Sequence, residues 1–322
     1  MIAAIIPLFN GRQFIAEALA SVAAQTTQHG ELVIVDDGST DGGAELAAEL
    51  APHATIIRQP NAGQSAARNA GAACTTLPLL AFLDQDDVWH PQHLERLAAE
   101  FVGRSRLGWA YSNADKLDVA GNVVQHGYQQ SHPSTHPKSH PDHYAGQDMH
   151  VLPSASLVSR AAFDAAGGFD ARLSGYEDDD LFGRIMRAGY GNVYVEEPLL
   201  GWRIHSGSSG HSSRMRDSRA VYARKLIESH GGEHALVRVM VSRFLRAYLI
   251  DVRTAAKAKS NAELAKARER WAFLLEKHWI GMVSPVLTDW RGAAVMRPIL
   301  KRCVCPPFPP ARENSTSRSA GF

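Results

Sequence analysis

The first hundred residues alternate two kinds of apolar pattern, and that alternation limits the possible folds more than any other feature. Continuous apolar runs, "AAIIPLF", "ELVIVDD", "ATIIRQ" and "LPLLAFLD", are separated by segments whose apolar positions recur at helical spacing. In the first such segment Phe14, Ile15, Ala18, Leu19 and Val22 share one face. An Ala- and Leu-rich helix follows at about 42–51, "SAARNAGAAC" is a short helix of small residues, and Pro91 opens the helix "PQHLERLAAEFV". Strands that are apolar along their whole length, with helices between them, predict a mostly parallel α/β sheet covered on both faces. In open sheets of this kind ligands bind beyond the carboxyl ends of the strands. The acid clusters "VDD" and "LDQDD" close the second and fourth predicted strands, so both fall on that edge.

A chain of 322 residues has room for one large domain with an appendage, or for two ordinary domains. Hydrophobic content of 45% and charged content of 21% are those of a soluble globular protein. No run approaches the ~18–20 apolar residues of a membrane span. "MIAAIIPLFN" lacks the basic start and the length of a signal peptide and reads as a first buried strand, so a cytoplasmic location is expected. Cys74, Cys303 and Cys305 are too few for a disulfide framework, and a lone C-x-C is a poor zinc site; reduced, incidental thiols are expected.

The net charge of +1 conceals a division. Residues 1–200 hold 12 Lys and Arg against 24 Asp and Glu, whereas residues 201–322 hold 22 against 9. Such asymmetry predicts different partners for the two halves. Residues 126–150 include "SHPSTHPKSHPDHY", with His-Pro at 132, 136 and 140, then His143. Regular His spacing raises a metal site, but each following Pro excludes a continuous helix, so a mobile loop beside the site is the expectation. Beyond about residue 212 the pattern is helical, and Ser260 to Glu263 has the form of a capping box for a helix running to about Trp279. In "ALVRVMVSRFLRAYLIDV", Arg238, Arg243 and Arg246 lie within one arc opposite a wide apolar face. That pattern suits either a helix packed on the core or one resting on an anionic membrane surface. The expected organisation is an α/β domain over 1–212, a helical region over 213–305 and a disordered tail over 306–322.

Clustered carboxylates at strand ends become favourable when a divalent cation binds them, and oxygen ligands suit Mg²⁺ or Mn²⁺. A metal bridging a diphosphate neutralises the charge that develops as the phosphate leaves. D-x-D alone is a weak signal, and specificity comes from the ordered set. "PLFNGRQFIAEALASVAAQT", "ELVIVDDGSTDG", "NAGQSAARNAG", "FLDQDDVWHP", "GGFD…GYEDDDLFGR" and "WRIHSGSSGHS" follow one another along residues 1–212. Together they resemble the family 2 glycosyltransferases of the GT-A fold, which are inverting and use nucleotide-sugars.

The resemblance implies a role for each matching position. Asp37, with Asp36 beside it, would read a uracil- or thymine-type base, which makes a UDP- or dTDP-type donor the expectation. Pro7, Phe9 and Asn10 match the segment lining the nucleotide pocket, with Phe where Tyr is frequent. Arg68 resembles the basic residue near the diphosphate. Asp84 and Asp86 match the D-x-D that holds metal and sugar-nucleotide, with Gln85 between them and Asp87 extending it, and His205 matches a His that completes the metal or diphosphate site. Asp178 resembles the general base that removes the acceptor hydroxyl proton, and Glu177 is the neighbouring alternative. Asp179 and Asp180 are expected to be solvated charges at a helix N-terminus. Processive synthases of the wider group carry Q-x-x-R-W, and here Ala267 precedes Arg270-Trp271 where Gln would stand. A non-processive enzyme making cell-surface polysaccharide or lipopolysaccharide on a glycan or lipid-linked acceptor fits better, with its basic half at the cytoplasmic membrane face and no nucleic-acid partner. Two competing readings remain: a metal-dependent phosphohydrolase, for which "DQDDVW" lacks the usual Thr, and a non-catalytic sugar-nucleotide-binding scaffold, against which Asp178 argues.

Overall fold

Every residue of the first strand, β1 (Ile2–Leu8), is buried, because the strand lies between helices on both of its faces. The computed structural model describes residues 1–132, 134–205, 213–230, 233–257 and 261–277. After β1 come α1 (Ile15–Ala23), β2 (Glu31–Asp36), α2 (Gly43–Leu50), β3 (Thr55–Arg58), α3 (Gln64–Ala73) and β4 (Leu79–Phe82). Then follow β5 (Val88–Trp89), α4 (His93–Ala99), β6 (Leu107–Leu117), β7 (Val123–Gln125), α5 (Asp142–Ala145), β8 (Ser156–Ser159) and α6 (Arg160–Ala166). The series ends with α7 (Glu177–Arg187), β9 (Gly191–Arg203), α8 (Ser213–Ser229), α9 (His234–Lys257) and α10 (Asn261–Lys277).

The strands form one sheet in the order β3-β2-β1-β4-β8-β6-β9-β5, with β7 added to β6. The first four strands are parallel, as their apolar runs predict. The second half is mixed: β8 is antiparallel to both β4 and β6, while β9 runs parallel to β6. On one face Ile2, Ala4, Ile6 and Leu8 of β1 join Ile15, Ala18, Leu19 and Val22 of α1 and Leu94 and Leu97 of α4 in a shared core. These α1 positions are those that helical spacing picks out. On the other face α3 lies so close to β1 that a Cβ on Gly71 would sit 2.4 Å from Ile5 Cγ2. Only glycine allows this approach, and it carries the rest of α3, Arg68 included, deep against the sheet.

The described residues separate into two compact units, 1–243 and from 244 onward. The first includes α8 and the beginning of α9. In the second, Phe244, Leu245, Tyr248 and Val252 of α9 and Ala267, Phe273 and Leu274 of α10 are buried, and Asp251 pairs with Arg270 at 3.7 Å. Cys303, Cys305, Ser260, Trp279 and the tail 306–322 lie outside the described residues.

Residues 126–150, read in the sequence as a loop, are tied into the packing at several points. Tyr128, Gln129, Tyr144 and Met149 are buried, and α5 forms within the segment. Two of its histidines, His136 and His150, serve as neutral polar groups of the packing. His136 Nδ1 bonds the Tyr111 hydroxyl at 2.7 Å and His150 Nδ1 bonds the Tyr128 hydroxyl at 2.8 Å. Burial brings both imidazoles down to about 4, so neither is charged at neutral pH. Among the described residues no three acid, imidazole or thiol side chains converge as a cation site.

Candidate active site

β1, β2 and β4 all point their carboxyl ends at one edge, and the loops leaving them hold the predicted donor residues. Pro7 is buried within β1. Phe9 follows with 43% of its surface exposed, and Asn10 adopts a positive φ of 48°. Asn10 is secured by its N–H donating to Ser39 Oγ at 3.0 Å and by its Oδ1 accepting from Thr40 N–H at 2.9 Å. These bonds tie the loop after β1 to the loop after β2. Asp36 Oδ1 accepts from Ser39 N–H at 2.8 Å. Asp37 is more heavily engaged: its two oxygens accept from Gln59 Nε2 at 2.7 Å and from the N–H groups of Ala62 and Gly63 at 2.8 Å each. Asp37 therefore fixes the entry to α3.

Gln85 clamps the loop after β4 to the loop after β1. Its Oε1 accepts from Phe9 N–H at 2.8 Å and its Nε2 donates to Phe9 O at 3.1 Å. Both ends of the amide are thus spent on backbone. Behind Gln85, Arg68 is only 1% exposed and spans two acids. Nη2 donates to Asp84 Oδ1 at 2.5 Å and Nη1 to Glu177 Oε1 at 3.2 Å, while the guanidinium lies over the Phe169 ring at 5.2 Å. Gln64 Nε2 also donates to Glu177. A single buried arginine thereby joins the D-x-D loop to the start of α7.

The other acids of the D-x-D segment divide their tasks. Asp86 Oδ2 lies 2.8 Å from His205 Nε2, and the His205 ring packs on Phe14 at 4.9 Å. Burial and the neighbouring Asp84 raise the Asp86 carboxyl, and His205 opposes that rise. Asp87 is buried, accepting from Arg203 N–H at 3.0 Å and from the Ser154 hydroxyl. Burial, with Asp86 and Asp84 beside it, pushes Asp87 well above the usual carboxylate range. Ser154 Oγ in turn accepts from Asp84 N–H at 3.0 Å, so one hydroxyl links the first and last acids. Arg203 holds the same turn by its main chain, with Nε donating to Asp86 O at 2.8 Å and Nη2 to Glu17 at 2.5 Å. Ser154 is not legible as a site residue, since "LPSAS" carries no motif, whereas Arg203 in "WRIHSGSSGHS" reads as packing or binding near the donor without an assignable role.

Asp86 and His205 are the paired groups best suited to a divalent cation, with the partly exposed Asp84 nearby. Few protein ligands are needed, because Mg²⁺ usually keeps positions for water and phosphate oxygens, and the carboxylate and imidazole donor set also suits Mn²⁺. Asp87, committed to Arg203 and Ser154, supports the loop from behind.

The acids of α7 complete the site. Tyr176 precedes the helix in the left-handed region, at φ 63°. Glu177 is held by Arg68 and Gln64, as above. Asp178 is half-buried, and its Oδ1 accepts the N–H of Asp179 at 2.8 Å. Burial, then the charges of Asp179 and Glu177, push its carboxyl well above the usual range. Asp179 and Asp180 are not the solvated charges expected of a helix N-terminus. Both are buried. Asp179 accepts from Met149 N–H at 2.9 Å and from Arg243 Nη2 at 3.0 Å. Asp180 pairs with Arg184 at 2.6 Å and with Lys225 at 2.7 Å. The physical reason is that α8 and α9 bring cations against this helix face, which local sequence does not reveal. Among the described residues no cation pairs with Asp178, alone of the four.

A family model, glycosyl transferase family 2, matches residues 3–164, half of the chain. An uncharacterized glycosyltransferase of Nostoc sp., alr2836, is 43% identical over 111 residues, which cover 33% of this chain and 34% of that protein. YibD of Escherichia coli, also an uncharacterized glycosyltransferase, is 39% identical over 114 residues, 34% of this chain and 33% of its own. These matches thus span about a third of the relatives' length. The match to YwdF of Bacillus subtilis is longer, 27% identical over 236 residues, covering 71% of this chain and 84% of that protein. Among solved structures, Staphylococcus aureus TarS 1–349 in complex with UDP superposes with a TM-score of 0.64 at 16% identity, covering 94% of this chain and 86% of the other. The same protein in complex with UDP-GlcNAc gives 0.64, 16% and coverage of 94% and 87%. At that identity the likeness establishes the architecture, a GT-A-type α/β fold followed by a helical region. With a strand-end acid motif, a bridging arginine and an acidic helix in the places described, and with the family model matching over half its length, the chain belongs to glycosyl transferase family 2.

Proposed function

We propose that the protein transfers a sugar, with inversion, from a nucleotide-diphosphate donor to a hydroxyl group of a glycan or lipid-linked acceptor. The observation that carries this reading is the bridge through Arg68. It joins Asp84, two positions from Asp86, to a helix start at which, among the described residues, no cation pairs with Asp178. A uridine-type donor is favoured, since TarS, which shares the fold, has been solved with UDP and with UDP-GlcNAc. Asp36 and Asp37 rim the base pocket, Phe9 offers an exposed apolar ring, and Asp84, Asp86 and His205 face the diphosphate. Mn²⁺ or Mg²⁺ held by Asp86 and His205 would supply positive charge to the leaving diphosphate.

Asp178 acts on the acceptor. As a carboxylate it accepts the hydroxyl proton while that oxygen attacks the anomeric carbon, and the nucleotide diphosphate leaves from the opposite side. A single in-line displacement inverts the sugar carbon. Its raised carboxyl makes Asp178 a stronger base than an exposed aspartate, at the cost of a smaller ionised fraction in mildly acidic solution. We propose a non-processive enzyme of surface polysaccharide or lipopolysaccharide synthesis, touching the membrane peripherally through its basic helices. The donor assignment is tested by thermal stabilisation with a panel of nucleotides and nucleotide-sugars, with and without Mn²⁺. A ligand at about 100 times its Kd adds about 2.7 kcal/mol to stability. Stabilisation by uridine compounds, enhanced by Mn²⁺, is expected, and a flat response across the panel contradicts the reading.

A further inference from the structure

Four consecutive acids open α7, and like charges so crowded disfavour one another's ionisation. Three of them are answered by cations from separate parts of the chain: Arg68 of α3, Arg243 of α9, and Arg184 with Lys225 of α7 and α8. Arg243 is the most elaborate of these partners. Its guanidinium donates to the Tyr144 carbonyl, pairs with Asp148 and with Asp179, and lies over the Tyr222 ring at 5.5 Å and the Tyr176 ring at 6.0 Å. It is also one of the three basic residues whose arc suggests a membrane surface, and its side chain is only 8% exposed.

We propose that Arg243 is a positioning residue of the transfer reaction: it clasps Asp148 and Tyr144 against the start of α7 and cancels the charge of Asp179, leaving Asp178 as the working base. This rests on the assignment of Asp178 given above. The groups that act on Asp178 are Glu177 and Asp179 on its own helix, Asp148 from the segment ahead of Met149, and the Tyr128 hydroxyl. Those acting on Asp179 include Arg243, Asp148, Asp178, the Met149 N–H, the Tyr222 hydroxyl and the more distant Lys138. Arg243 is the cation that pairs with Asp179. The helical region beyond residue 212 therefore supplies part of the catalytic apparatus, although the family match ends at residue 164.

The test is a carboxyl ¹³C NMR titration of Asp178 in the full chain, with the signal assigned by its loss in Asp178→Asn. Asp179→Asn removes the like charge nearest Asp178 and leaves Arg243 paired with Asp148 alone, so the Asp178 midpoint should fall by about one pH unit or more. Adding Arg243→Met to Asp179→Asn should return it toward the wild-type value. An unmoved or raised midpoint in Asp179→Asn overturns the proposal, as does a double variant that titrates like Asp179→Asn. If Arg243→Met fails to fold, the near-isosteric Asp179→Asn alone decides. In sugar transfer, the acid limb of kcat should move to lower pH with the midpoint. A titration that shifts while the kcat profile stays fixed would leave the charge pairing intact and refute Asp178 as the base, so the two failures are separable.

Discussion

Arg68 holds two carboxylates with one guanidinium, and that economy makes it vulnerable. Truncation leaves Glu177 buried without a cation and Asp84 without its partner. Removing one member of a buried ion pair typically costs about 3–5 kcal/mol, because the remaining charge stays desolvated. Arg68→Met is therefore expected to lower the unfolding free energy by about 3–5 kcal/mol in urea denaturation, and a loss below about 1 kcal/mol would contradict the bridging role. Arg68→Lys should recover only part of the loss, since one ammonium cannot reproduce a two-pronged contact. The motif "SAARNAG" marked this residue as a basic group near the diphosphate. It did not show that the positive charge is shared with Glu177, 109 residues away, because that pairing exists only once α3 is seated on β1.

Elements of strong periodicity are legible in the sequence. The four parallel strands, the buried face of α1 and the placement of both acid clusters at one sheet edge all follow from local pattern, which is set by burial on one or both faces. The segment 126–150 misled for an equally physical reason. Its His and Pro content looks solvated, yet the imidazoles of His136 and His150 are neutral and hydrogen-bonded to tyrosines in the packing. The acids of α7 misled similarly, since their cations arrive from α8 and α9. Helix α9 divides the two readings given for its basic arc: Arg243 faces inward, whereas Arg238 is exposed beside the exposed Val239. Membrane contact should therefore depend on Arg238 and not on Arg243. Sedimentation with anionic vesicles at low salt should show binding that weakens as salt rises. Arg238→Glu should reduce it by about fivefold or more, at about 1 kcal/mol per basic residue. Binding that ignores both salt and this substitution would exclude the arrangement.

At the scale of the whole molecule, the family match covers the strand-end acids Asp84 and Asp86, whereas the acids of α7 and the cations gathered around them lie beyond its end at residue 164. The proposed division of labour is specific: Asp84 and Asp86 on the donor and Asp178 on the acceptor, with Arg68 and Arg243 holding Glu177 and Asp179 on either side of it. Transfer of labelled sugar from a stabilising nucleotide-sugar into glycan- and lipid-containing extract, comparing wild type with Asp178→Asn, tests this most directly. General-base catalysis contributes about 10²–10⁴ in rate, so kcat should fall by that factor while UDP binding stays within about twofold. Undiminished transfer by Asp178→Asn would contradict the account.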